Sequence, residues 1–168
     1  GFSIYLDCQS PSVYNLRWFE LLEKIIDIIS EVYNIEGIKY GEFTEAKASA
    51  SFEKSLENLY KIIGKRVLII FDEIEYISFE LSDKDYWKNG TDYLPFWRTI
   101  RSVLQTKPYL FSFIIAGVNP KITEDSIVNE MDHPIFNSLT KYHLSLFNVE
   151  DVENMVKNHN LALSINDC

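Results

Sequence analysis

The run "RVLIIFDEIEYIS" (residues 66–78) places two carboxylates, Asp72 and Glu73, directly after five apolar residues, Val67 to Phe71. A short apolar run bounded by polar residues reads as a buried strand, so the acid pair sits at a strand's carboxyl end. In open parallel sheets that is where ligands sit. Two roles suit the pair. Mg²⁺ is a hard ion that keeps several waters, so one well-placed carboxylate is enough to hold it beside a nucleotide triphosphate. The second carboxylate can orient and polarise an attacking water, general-base help worth roughly 10²–10⁴ in rate. Asn119, in "IIAGVNP", follows another apolar run and supplies an amide for the same water or the terminal phosphate. The plainer reading is that turns after strands need polar residues. Asp7, after "FSIYLD", is read that way.

These residues need a sheet to hold them at one edge. "FSIYLD" (2–7) is a first β-like run, and Pro11 and Ser12 then punctuate the approach to a helix. Between Leu16 and Tyr33 apolar residues recur at Trp18, Leu22, Ile25, Ile29 and Val32, which is helical spacing. Phe52, Leu56, Leu59, Tyr60 and Ile63 mark a second helix, with Gly64 suited to end it. The continuous run 67–71 suits a strand covered on both faces. Residues 77–93 read as a polar and aromatic loop, with Tyr76, Phe79, Tyr86 and Trp87 either exposed for a partner or packed over the sheet edge. A helix carries Leu94, Trp97, Ile100 and Leu104, with Pro95 tolerated in its first turn. "YLFSFIIAG" (109–117) is the next strand, residues 123–130 are compatible with a short helix, and "KYHLSLF" (141–147) reads as a last strand. Asn148 is placed to cap a final helix with Val149, Val152 and Val156 on its apolar face. This alternation gives an α/β class with a mostly parallel sheet and a single domain.

Bulk properties narrow the classes. The net charge of −9 disfavours non-specific nucleic-acid binding, which needs a cationic surface. No run of apolar residues is long enough to span a membrane. Cys8 and Cys168 lack metal spacing and read as reduced thiols of a cytoplasmic protein. His133, His143 and His159 show no ligand spacing, and Arg98 and Arg101 read as a solvated helix face. The chain starts inside a strand-like run and stops just after a helical pattern, so it reads as a piece truncated at both ends.

Taken in order, the segments carry a resemblance. "RVLIIFDEIEYIS" resembles a Walker B motif of P-loop ATPases, and "FSFIIAGVNP" resembles the sensor 1 strand of AAA+ and STAND-type or archaeal ATPases. "HPIFNSLTKYHLSLFNVEDVENMV" is similar to the segment that follows in those proteins. The resemblance implies a P-loop NTPase-like parallel sheet flanked by helices, without its first strand and phosphate loop. It implies ATP and Mg²⁺ as ligands, Asp72 as the Mg²⁺-site acid, Glu73 as hydrolytic base and Asn119 as sensor. Function would be ATP binding and hydrolysis that drives conformational change in attached domains or subunits, the alternative being a non-catalytic ATPase-like interaction module. Two departures stand out. No G-x-x-x-x-G-K-S/T occurs, and "IIGKR" (62–66) precedes a strand, whereas a phosphate loop follows one. No arginine follows Arg101, which removes the usual arginine finger and tilts the resemblance toward the switch-like STAND group. The expected geometry is specific: "FSIYLD", "VLIIF" and "YLFSFIIAG" parallel and adjacent in that order, with Asp72 and Asn119 at the same sheet edge.

Overall fold

A computed structural model describes residues 2–119, 125–142, 148–151 and 154. Strand β1 (Phe2–Asp7) leads through the short helix α1 (Pro11–Tyr14) to α2 (Trp18–Tyr33) and α3 (Ala48–Ile63). Strand β2 (Val67–Asp72) follows, then a 3₁₀ turn (Ile74–Ile77), α4 (Asp85–Lys88), α5 (Tyr93–Thr106) and β3 (Phe111–Ile115). The three strands form one parallel sheet in the order β1-β2-β3, with Asp7 opposite Asp72 and Phe71 opposite Ile115. The chain is thus α/β, with the expected strand order and direction.

The helices form where apolar side chains recur on one face. α2 buries Trp18, Leu21, Leu22, Ile25, Ile26 and Ile29, although Val32, expected on that face, is 58% exposed. α3 ends at Gly64 in the left-handed conformation, φ 62°, which glycine adopts without a Cβ penalty. Asp92, fully buried, ties the segment before α5 to the start of α2. It accepts from Arg17 Nε (2.7 Å) and Nη2 (2.9 Å) and from the Trp18 N–H (3.0 Å). Removing Arg17 would strand a buried charge, a loss of about 3–5 kcal/mol.

The sheet departs from expectation in how it is covered. Val67, Ile69 and Phe71 are buried, but Leu68, Ile70 and Asp72 between them are only half-buried. The buried face meets the helices: Phe52 of α3 lies against Phe111, and Phe96 and Trp97 of α5 lie against Phe71. The other face carries Tyr5 (57% exposed) and Ile114 (50% exposed). Covering on both faces is therefore corrected to full covering on one, among the described residues. A continuous apolar run cannot distinguish the two, because Leu68 and Ile70 are apolar in either case.

Other differences are local. Residues 77–93 include α4, and Trp87 is buried with its indole N–H on the Leu16 carbonyl (3.1 Å). Of the two readings of that loop's aromatics, packing is the one that holds for Trp87. Of the helix expected in 123–130, residues 123 and 124 lie outside the described residues. From 125 on there is instead a hairpin, in which β4 (Ile127–Val128) pairs antiparallel with β5 (Met131–Asp132) and Asn129 and Glu130, both at positive φ, form the two-residue turn. Most of the expected strand 141–147 lies outside the described residues. At Asn148 the expected cap is present: its side chain accepts the Asp151 N–H (2.9 Å), and Asp151 accepts the Asn148 N–H (3.0 Å). No helix among the described residues is long and apolar enough to cross a membrane.

Candidate functional site

Phe71 fixes the acid pair. Its ring packs edge-on against Trp97 (5.6 Å), Phe96 (6.0 Å) and Phe113 (6.4 Å), and burying such a ring stabilises by about 1.5–3 kcal/mol. With Phe71 turned into the core, strand alternation turns Asp72 to the open face. There the Tyr5 hydroxyl of β1 donates to Asp72 Oδ2, and the Glu73 N–H donates to Oδ1 (3.0 Å). The hydrogen bond to Asp72, partial burial and the neighbouring acids push Tyr5 up to about 12, so it remains a donor at neutral pH. An ionised carboxylate has about four acceptor sites, so Asp72 keeps capacity for a further ligand.

Glu73 is half-buried and sits at φ 50°, ψ 47°, the left-handed region, just before the 3₁₀ turn. For a residue with a Cβ this conformation costs about 1–2 kcal/mol. Glu80 and Glu130 share a positive φ in turns elsewhere, so the strain alone does not single Glu73 out. Its place beside Asp72 does.

Backbone and side-chain bonds stitch the loops after all three strands together. The Cys8 N–H donates to the Asp72 carbonyl (3.0 Å), and Gln9 Nε2 donates to the Tyr76 hydroxyl (2.8 Å). On the other side the Ala116 N–H donates to the Phe71 carbonyl (2.8 Å) and the Ile74 N–H to the Ala116 carbonyl (3.2 Å). Asn119, four residues beyond the end of β3, donates its backbone N–H to Glu75 Oε1 (2.5 Å). Asp72, Glu73 and the Asn119 loop therefore share one sheet edge. No family model, curated protein or solved structure matches the chain.

The remaining candidates fall elsewhere. Asp7 makes a turn, its Oδ1 accepting the Gln9 N–H (2.9 Å). Cys8 is fully buried, and burial pushes its thiol far up, so it is inert. Arg98 lines a groove of about 310 Å³ between α3 and α5, together with Ser49, Glu53 and Ser102, and touches no residue of the acid edge there. Among the described residues no three His, Cys, Asp or Glu side chains converge as a metal cage. Mg²⁺ does not require one, since a carboxylate or two plus substrate phosphates and waters suffice, and Asp72 fits that sparse donor set.

Sequence reasoning missed Tyr5 and Glu75. Tyr5 reaches Asp72 only through the parallel register of β1 and β2, which no local pattern encodes. Glu75 was visible as the third acid of "DEIE", but its partner lies 44 residues away.

Proposed function

We propose that the chain carries the acid and sensor half of an ATP-binding, ATP-hydrolysing domain of the P-loop type, whose turnover drives conformational change in attached domains. One observation carries the reading: the acid pair ends the central strand of a parallel sheet, and the Asn119 loop is bonded to the same edge. In this reading Asp72, oriented by the Tyr5 hydroxyl, would hold Mg²⁺ beside the triphosphate. Glu73 takes a proton from the attacking water, and Asn119 orients that water or the terminal phosphate. Bound Mg²⁺ would supply neutralisation of phosphate charge. The phosphate loop, with its backbone N–H groups and lysine, is absent from these 168 residues and would have to come from outside them.

The second reading is a non-catalytic ATPase-like module that engages other protein domains. Titration of Mg·ATP into the full-length protein separates the two. The ATPase reading expects binding and turnover, with Glu73→Gln retaining ATP while lowering turnover by about 10²–10⁴. Asp72→Ala should instead weaken the Mg²⁺ dependence. Equal single-turnover rates for wild type and Glu73→Gln would remove Glu73 from its role, and absence of ATP binding would leave only the second reading. The 168-residue chain alone should bind Mg·ATP weakly, because its acid edge repels an anion; low-micromolar binding by calorimetry would contradict this.

A further inference from the structure

One carboxylate at this edge has no part in the proposed chemistry. Glu75 lies in the 3₁₀ turn after β2, and its side chain crosses to the loop after β3. Oε1 accepts the Asn119 N–H at 2.5 Å, while Oε2 is buried with no hydrogen-bond partner among the described residues. A glutamate free to turn into water would not leave an oxygen buried and unpaired, since that costs more than a typical hydrogen bond returns. The position is held from below: Ile74 and Ile77, on either side, are buried in the core. It is also held from across. A Cβ on Gly117 would come within 2.6 Å of each Glu75 oxygen, and Gly117 is not in the left-handed region. Glycine is required there for space rather than for backbone freedom.

We infer that Glu75 is a positioning residue that locks the Asn119 loop to the acid segment, so that a ligand engaged by Asp72 and Glu73 is registered at Asn119. The physical link is short. Glu73 and Glu75 flank Ile74, whose N–H is bonded to Ala116, and Glu75 holds Asn119 three residues further on. Any shift of the 3₁₀ turn that reorients Glu73 therefore pulls on Asn119 through a charge-assisted bond. The lock rests on the nucleotide reading only for the identity of the ligand.

Gly117→Ala gives a mild test. The group it displaces is the far end of a flexible side chain, so the fold should survive while the Glu75–Asn119 bond breaks. NMR of the labelled protein should show the Asn119 amide moving upfield and exchanging roughly 10- to 100-fold faster in both Gly117→Ala and Glu75→Ala. The double variant should match Glu75→Ala alone, because the new methyl group fills space that the carboxylate has left. An unmoved Asn119 amide in both single variants, or a double variant showing the sum of the two effects, would overturn the lock. Turnover is a separate arm. In full-length protein both single variants should lower kcat for Mg·ATP more than they raise KM, and an unchanged kcat with a released Asn119 amide would overturn the positioning role. If the wild type binds no ATP while Asn119 still responds, the lock stands and the nucleotide reading falls.

Discussion

Glu73 holds a backbone conformation that glycine adopts more cheaply, at the one place where a carboxylate adjoins Asp72. A residue kept there for the turn alone could be replaced to advantage. Glu73→Gly should raise stability by about 1 kcal/mol, measured as the midpoint of urea unfolding, and should abolish any turnover of the full-length protein. A loss of stability would mean that the Glu73 side chain contributes more to packing than its half-buried position suggests. Asp72 and Glu73 were legible in the sequence because the apolar run stops abruptly at them. Asn119 was legible because it follows a second such run, four residues after the strand ends. Tyr5 and Glu75 were not, because each acts through tertiary register. Asp72 is completed by a residue 67 positions upstream, and Glu75 by a backbone N–H rather than by a recognisable side chain.

Among the elements, α2, α3 and α5 were readable because apolar spacing and the Gly64 stop agree with the core they face. The hairpin of β4 and β5 was not, since two-residue strands have no measurable period. Polar contacts dock it: the Asn129 side-chain N–H donates to the Asn89 carbonyl (2.6 Å), Arg98 Nη2 donates to Met131 Sδ (3.1 Å), and His133, just beyond β5, reaches α5. His133, buried, bonds the Tyr93 hydroxyl through Nε2 (2.6 Å), and its Nδ1 accepts the Ile135 N–H (3.3 Å). The neutral ring therefore carries its proton on Nε2, and a second proton would face the Ile135 N–H. Burial lowers the imidazole from its ordinary 6.5, against the smaller raising effect of Asp125. The unfolded chain then takes the proton first as pH falls, so His133 contributes fully above about pH 6.5 and the contribution is lost below it. The urea midpoint should decline between about pH 7 and pH 5, and His133→Gln should flatten that slope. An equal decline in the variant would assign it to other groups.

At the scale of the molecule, the two crossovers explain why one face of the sheet is left open among the described residues. From β1 to β2 and from β2 to β3 the chain steps across the sheet in the same direction. Right-handed crossovers then place both sets of helices on the same side. Parallel sheets are ordinarily covered on both faces, so Tyr5, Leu68, Ile70 and Ile114 form an unusual surface for this topology. The outer edge of β1 is guarded: the Tyr33 hydroxyl accepts the Ser3 N–H (2.5 Å) and donates to the Ser3 carbonyl (2.6 Å). β3 has no strand beyond it among the described residues, and Ile114 stands on the open face of that edge strand. An apolar edge strand of this kind templates association with a second chain. Ile114→Lys should therefore raise the monomer fraction of the 168-residue chain in sedimentation velocity at high concentration. Because the side chain is half exposed and pairs only with Ile70 across the sheet, the urea midpoint should move by no more than about 0.5 kcal/mol in free energy. Self-association as strong as that of the wild type would place the contact on another surface. A large loss of stability would show that the open face is packed in solution, the covered state that a parallel sheet ordinarily demands.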